Sequence, residues 1–318
     1  MNLINDNLKE KSGLVLDGAM ATELEKYGVD TSNDLWSATA LINNPDAVKK
    51  VHQSYFHSGA DIAITNTYQA NVKQFEKEGF QPDESKQLIL DAAQLAIDAR
   101  NDYFGTLTAS KRAQRAKYPV VAGSIGPYGA YLADGSEYTG AYKLSAEEYQ
   151  KFHYQRMSLL AKAGVDLFAF ETQPNFEETK ALASLLNNNF SNYSAWITFS
   201  IKDANHLCDG TSLAEAIAYF ESNPQIVAIG INCVAMATVL DALKVISANT
   251  SKPIIIYPNN GDTYDPKTKK WVTNEHAATF AELTPQWLAA GAKIIGGCCR
   301  TTPKDIKQIA DSMTHPAS

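Results

Sequence analysis

Along this 318-residue chain, short β-branched or apolar runs alternate with longer stretches of helical spacing, about eight times over. The runs are residues 14–19, 60–68, 119–127, 166–172, 195–201, 226–233, 253–259 and 292–299. Residues 45–58, 83–103 and 149–162 read as helices, the last opened by the capping-box pair Ser145 and Glu148. Leu88, Leu90, Ala93, Leu95 and Ala96 give the second a broad apolar face. Gly59, Gly164 and Gly291 stand just before the second, fourth and eighth runs, where glycines end helices. Such alternation demands parallel strands joined by crossover helices, and eight units predict an α/β fold closed as a (β/α)8 TIM barrel. One domain over residues 1–318 is expected, because no linker or low-complexity segment divides the chain.

A different α/β architecture would leave different marks. Asp17-Gly18-Ala19-Met20 follows the first run in place of a dinucleotide-binding glycine fingerprint, and no phosphate loop ending in Gly-Lys-Ser/Thr occurs. A formal charge of -7 without a basic stripe argues against nucleic acid or an anionic membrane as partner. Residues 1–11 are polar and of both charge signs, unlike a signal peptide, and no run reaches membrane-spanning length. A cytoplasmic protein acting on small molecules is expected; the sequence does not indicate an oligomeric state. Four cysteines in a chain this long make no disulfide framework.

The cysteines carry chemistry instead. Gly296-Gly297-Cys298-Cys299-Arg300-Thr301 ends the eighth run. Neighbouring side chains of a strand point to opposite faces, so Cys298 and Cys299 converge only if the backbone leaves strand geometry, which the glycine pair would permit. A bond between them would be strained, since neighbouring Cα atoms lie about 3.8 Å apart and disulfides want roughly 4.4–6.8 Å. A shared zinc suits them better, and a catalytic zinc takes three protein ligands and leaves a fourth position open. Cys233 ends the sixth run, so a barrel brings it to the same rim; Cys208, in a loop past the fifth, has no partner at metal spacing. His52, His57, His153, His206, His276 and His315 show no paired metal spacing.

The other run ends are polar: Asp17; Thr65, Asn66 and Thr67; Ser124 with Tyr128 beyond it; Glu171 and Thr172; Ser200; Asn232; Asn259 and Asn260. Two carboxylates beside three thiols suggest a ligand carrying an ammonium group. The long glycine- and tyrosine-rich connection 123–142 is read as a substrate-binding loop or lid.

These residues resemble a known family. Asp17-Gly18-Ala19-Met20-Ala21-Thr22-Glu23-Leu24-Glu25, Ile64-Thr65-Asn66-Thr67-Tyr68-Gln69-Ala70, Gly123-Ser124-Ile125-Gly126-Pro127-Tyr128-Gly129-Ala130, Phe170-Glu171-Thr172, Gly230-Ile231-Asn232-Cys233 and Gly296-Gly297-Cys298-Cys299-Arg300 together resemble the zinc-dependent homocysteine S-methyltransferases. The branch using S-methylmethionine is the most similar, also through Tyr257-Pro258-Asn259 and Tyr264-Asp265-Pro266-Lys267-Thr268. The resemblance implies Zn2+ on Cys233, Cys298 and Cys299. It implies the homocysteine ammonium on Asp17 and Glu171, and its carboxylate near Thr65, Asn66, Thr67 and the amides of Gly18 and Ala19. Asn232 and Tyr128 complete the expected substrate-binding set, Tyr128 with Tyr131 and Tyr138 facing the sulfonium donor through cation–π contact. Asn260 and Asp262 depart from the serine and glutamate expected there.

The expected reaction moves a methyl group from S-methylmethionine, or S-adenosylmethionine, to the homocysteine thiol, giving methionine. A thiol is mostly protonated at neutral pH, and a zinc-bound thiol is not. The alternatives are a betaine-type donor with the same acceptor, and a non-catalytic zinc or thiol-redox barrel. The redox reading wants a Cys-x-x-Cys pair, which is absent.

Overall fold

A computed structural model describes residues 2–114, 118–265, 270–272, 274 and 277–314. Pro266, Lys267, Thr268, His276 and His315 lie outside the described residues. Eight parallel strands form the barrel: β1 (Leu14–Val15), β2 (Ile62–Ile64), β3 (Val120–Ile125), β4 (Leu167–Gln173), β5 (Ala195–Phe199), β6 (Ile226–Asn232), β7 (Ile254–Tyr257) and β8 (Ala292–Ile295). Each pairs with the next, β8 returns to β1, and a parallel bridge between Leu16 and Ile62 closes the ring. The helices following them are α1 (Pro45–His57), α2 (Pro82–Thr106), α3 (Ala146–Ala163), α4 (Phe176–Asn189), α5 (Leu213–Tyr219), α6 (Met236–Ser247), α7 (Phe280–Ala289) and α8 (Pro303–Thr314). The expected (β/α)8 barrel is therefore the observed fold.

The period-two rule divides the apolar residues into two cores. Leu14, Leu16, Ile62, Val120, Ala122, Leu167, Ala169, Trp196, Ala228, Ile255 and Ile294 fill the barrel. Their strand neighbours, such as Val121, Phe168, Phe170, Ile197, Ile229, Ile256 and Ile295, pack outward against the helices. Both faces of each strand are thus buried, which is why the runs read as continuous apolar stretches.

Local signals held at several joints. The capping box forms, with Ser145 Oγ accepting from Glu148 N at 3.3 Å and Glu148 Oε2 accepting from Ser145 N at 2.8 Å. Gly59, Gly164 and Gly291 adopt φ of 109°, 88° and 104°, values that favour glycine. The strands themselves are shorter than the runs. β1 ends at Val15, β2 at Ile64 and β8 at Ile295, because the backbone leaves the ladder where polar groups begin to bond across the rim.

The polar opening segment is not a tail. Asn2 caps the helix Leu3–Leu8 by accepting from Asn5 N at 3.0 Å, and Ile4 is fully buried among the residues of the inner core. This helix stoppers the N-terminal end of the barrel with one apolar side chain, too weak a pattern to read from sequence. No described helix is long and apolar enough to cross a membrane. Replacing Ile4 with Ala is expected to cost about 2–5 kcal/mol, read as a lower denaturation midpoint in urea with an unchanged slope.

Candidate active site

At the C-terminal rim the inward column turns from apolar to polar without changing parity. Two residues beyond Ala122, Ala169, Trp196 and Ile255 stand Ser124, Glu171, Thr198 and Tyr257; four beyond Ala228 and Ile294 stand Asn232 and Cys298. Ser124, Glu171, Thr198, Asn232 and Tyr257 are all buried. Burying such groups is costly unless they are bonded, and most of them bond to one another. Glu171 accepts a short hydrogen bond from the Ser124 hydroxyl. Tyr257 Oη lies 2.6 Å from Thr198 Oγ1 and accepts from Trp196 Nε1 at 3.3 Å. Asn232 Oδ1 accepts from Thr172 N, and its amide nitrogen donates to Thr172 Oγ1, both at 2.7 Å.

The three thiols meet at one edge of this rim. Cys233 follows β6 with φ 53°, and its N–H donates to Tyr257 O at 3.1 Å. Cys298 N donates to Pro258 O at 2.8 Å and Cys299 N to Asn259 Oδ1 at 3.0 Å, so the segment after β7 fixes both neighbours. Cys233 and Cys299 sulfurs are 3.7 Å apart, and all three lie within 4.8 Å of one another. Tetrahedral zinc with bonds of about 2.3 Å sets its sulfurs about 3.8 Å apart, so the cluster has the dimensions of a three-thiolate metal site. Hydrogen bonds from Cys298 and Cys299 hold the Cys233 thiol well below its ordinary range, and the two donors are pushed up in turn. Cys208 stands apart, its sulfur 3.4 Å from Ser200 Oγ.

The glycine pair acts otherwise than expected. Neither Gly296 nor Gly297 has a positive φ; the residues that turn the chain are Cys233 and Arg300, the latter at φ 66°. What the glycines provide is close approach. A Cβ on Gly296 would lie 2.6 Å from Leu16 Cβ and 2.7 Å from Asp17 O, and one on Gly297 2.4 Å from Thr301 Oγ1. Gly297 N donates to Asp17 O at 3.0 Å, and Ala19 N to Thr301 Oγ1 at 3.1 Å. Arg300 sits 3.4 Å from both Glu25 and Asp262, tying three rim loops together.

One cleft of about 890 Å³, solvent-side space included, is lined by Asp17, Gly18, Ala19, Thr65, Asn66, Glu171 and the three cysteines. Three other expected residues lie outside its lining. Thr67 hydrogen-bonds Thr65 Oγ1 and Ser124 O, at 2.7 and 2.9 Å, and so sets the loop after β2. Asn232 clamps Thr172, which holds a strained φ of 55°. Tyr128 packs with Tyr131, Tyr142 and Phe152 behind the loop, so of the three loop tyrosines only Tyr138 reaches the cleft. Its hydroxyl lies 3.9 Å from Cys233 Sγ. Thr172, read as a polar strand end, lines the cleft, whereas sequence reading passed over Trp36, Tyr68, Tyr257 and Arg300 as lining residues. Tyr257 was within reach, since it shares the inward parity of Ile255; Trp36 sits in irregular chain that carries no periodic signal.

The electrostatics concentrate on the two carboxylates. Burial pushes Glu171 up to about 7, against the lowering effect of the Ser124 and Tyr257 hydroxyls. Burial also raises Asp17 well above the carboxylate range; the Ile64 N–H, donating at 2.9 Å, opposes this, and the charge of Glu171 adds to it. Two desolvated acids of like charge in one cleft favour a cation between them.

The mouth of this TIM barrel joins two buried carboxylates to three thiols that could hold a metal ion. The chain matches the family model for homocysteine S-methyltransferase over residues 14–313. It is 46% identical to homocysteine S-methyltransferase of Escherichia coli over 300 residues, covering 94% of each chain. It is 39% identical to selenocysteine Se-methyltransferase of Brassica oleracea, covering 95% of this chain and 89% of the relative. The crystal structure of the homocysteine methyltransferase MmuM from Escherichia coli in its metallated form superposes with a TM-score of 0.86 at 42% identity, covering 97% of this chain and 99% of that one. This chain belongs to the homocysteine S-methyltransferase family, and is a methyltransferase.

The clamp on Thr172 makes a test of how the rim is held. Asn232→Ala leaves the buried Thr172 N–H without its acceptor, a loss of about 1–3 kcal/mol. Because Cys233 adjoins Asn232, the variant is also expected to lose bound metal to a chelator faster than the parent, followed with a colorimetric metal indicator.

Proposed function

We propose that this protein transfers a methyl group from S-methylmethionine to the thiol of L-homocysteine, with zinc held by Cys233, Cys298 and Cys299. The observation that carries this reading is the shared cleft: two buried carboxylates, Asp17 and Glu171, face the same space as three clustered thiols. A small molecule with an ammonium at one end and a thiol at the other answers both poles.

Zinc bound by three thiolates supplies an open, Lewis-acidic position at which a thiol gives up its proton. The chain's own residues supply the rest. Asp17 and Glu171 take the ammonium and fix the acceptor's orientation, while Ser124 and Tyr257 hold Glu171 in place from behind. Because Ala19 N–H is engaged by Thr301, the Asn66 amide by Ser37 and Thr65 Oγ1 by Thr67 and Ser124, the acceptor carboxylate falls to the backbone of the loop Thr65–Asn66 and the uncapped start of the helix Met20–Glu25. A lone pair of the acceptor sulfur forms the new carbon–sulfur bond as the donor's methyl–sulfur bond breaks, its electrons staying on the donor sulfur. Sulfonium becomes a neutral thioether, and thiolate becomes a second one. Charge disappears along this path, so a dry mouth assists it, and no general acid or base is required beyond loss of the thiol proton.

The reading is tested by methionine formation from homocysteine with S-methylmethionine, S-adenosylmethionine and betaine in parallel, using zinc-loaded protein and Cys299→Ser. Turnover with S-methylmethionine, lowered at least 100-fold in the variant, is expected; turnover with betaine alone would replace the donor, and none with any donor would sink the proposal. The carboxylates add a pH signature. Free Glu171 lies near 7, raised above its ordinary value, so below that pH an arriving ammonium must displace a proton. Affinity for methionine, which has the ammonium but no thiol, should fall as pH drops below about 7, approaching tenfold per unit, measured by calorimetry.

A further inference from the structure

A transfer between two amino acids brings two carboxylates and two ammonium groups into one cleft, and each needs a partner as water leaves. Among the described residues that line the cleft, three are acidic, Asp17, Glu25 and Glu171, and one is basic, Arg300. Asp17 and Glu171 are 4% and 7% exposed and mark its dry end, whereas the side chains of Glu25 and Arg300 are 48% and 29% exposed. In the reading above, the dry acids take the acceptor's ammonium and rim backbone takes its carboxylate. Glu25 and Arg300 remain, an opposite pair at the open end.

That pair is loosely engaged within the protein. Arg300 Nη1 lies 3.4 Å from Glu25 Oε2, and Nε lies 3.4 Å from Asp262 Oδ2, beyond the roughly 2.7–2.9 Å of a full charge-assisted bond. Nη2 has no partner among the described residues. Thr31 Oγ1 donates to Glu25 Oε1 at 3.1 Å, which steadies the carboxylate on one oxygen and leaves the other to Arg300 alone. A half-exposed ion pair of this length adds little stability. Arg300 directly follows Cys299 and holds φ 66°, a conformation that glycine adopts without strain. Glycine would turn the chain there more cheaply, so what the strain maintains is a guanidinium beside the thiols. Thr301 fixes it from the far side, its Oγ1 donating to Cys298 O at 2.6 Å and its N–H to the same carbonyl at 3.1 Å.

We infer that Arg300 and Glu25 bind the amino-acid end of the methyl donor, Arg300 its carboxylate and Glu25 its ammonium. This rests on the sulfonium-donor reading above and deepens it: the donor is selected as an amino acid as well as a sulfonium. A forked guanidinium–carboxylate pair and an ammonium–carboxylate pair replace the two long contacts. Because the donor's charged end is a zwitterion, the net charge of the mouth does not change there. Its sulfonium, two methylene groups further on, is left to face the thiols that adjoin Arg300.

The test uses zinc-loaded parent protein, Arg300→Gln, Arg300→Lys and Glu25→Gln. The ligands are S-methylmethionine, its deaminated analogue, which keeps the carboxylate, and its decarboxylated analogue, which keeps the ammonium. Binding is measured by calorimetry with saturating α-aminobutyrate, which fills the acceptor's place without a thiol. Arg300→Gln should bind S-methylmethionine and the deaminated analogue about 10- to 100-fold more weakly than the parent, with the decarboxylated analogue unchanged. Glu25→Gln should weaken S-methylmethionine and the decarboxylated analogue and spare the deaminated one. Arg300→Lys keeps the charge without the fork and should fall between parent and Gln. In turnover, both Gln variants should raise donor KM and leave homocysteine KM unaltered. Unchanged S-methylmethionine affinity, equal loss for all three ligands, or a rise in homocysteine KM in place of donor KM overturns the inference. The ligand-selective pattern in a parent that turns over none of the three upholds the inference and removes the functional reading. Should Arg300→Gln fail to hold zinc, Glu25→Gln decides alone because it leaves the thiol segment untouched, parental affinity for the decarboxylated analogue counting against the inference.

Discussion

The seam between β1 and β8 is the contact on which the site depends. Gly296 approaches Leu16 and the Asp17 carbonyl so closely that no side chain fits, and Gly297 N–H bonds that carbonyl. This one close approach seals the barrel on the side where Asp17 and the Cys298–Cys299 pair originate. Asp17 is carried in from β1, and Cys298 and Cys299 are carried in from β8. Thr301, bonded to Ala19 N–H and to Cys298 O, locks the turn that follows. A methyl group added at Gly296 would part the strands and separate the carboxylate from the thiols in the same movement.

Strain gathers where the chain leaves its strands at the rim. Thr172, Cys233 and Arg300 all hold a positive φ, at about 1–3 kcal/mol each for residues with a side chain. Each is over-determined by its neighbours: Thr172 by both arms of the Asn232 amide, Cys233 by the Tyr257 carbonyl, Arg300 by Glu25 and Asp262. A rigid, pre-shaped rim spares a bound metal and substrate the cost of ordering it.

A buried network of similar economy supports the long loop. Arg156 donates to the carbonyls of Tyr68 and Gly126, at 3.0 and 2.6 Å, and lies 3.3 Å from His153 Nδ1, while His153 Nε2 sits 2.7 Å from Glu178. His153, like the other histidines within the described residues, belongs to no metal-ligating cluster. Its surroundings are what join α3 and α4 to the loops after β2 and β3. Arg156, His153 and Glu178 themselves lie outside the lining of the cleft, yet Glu178 accepts from Tyr128 N and the Tyr142 hydroxyl on either side of Tyr138.

The eight-fold alternation determined the barrel by itself, since both faces of a parallel strand must be buried and a crossover helix must cover each outer face. The same alternation reached the site, because the C-terminal ends of parallel barrel strands meet on one rim: Cys233, Cys298, Cys299, Asp17 and Glu171 were legible for that reason, and only Glu171 and Cys298 also keep the inward parity. What the sequence left undecided lies off the strands. The placement of Thr67, Asn232 and Tyr128 outside the cleft and the use of the glycine pair for contact rather than for a turn depend on which groups meet across hundreds of residues. Hydrogen-bond partners and steric room are properties of space, and only the closed barrel brings those atoms within reach of one another.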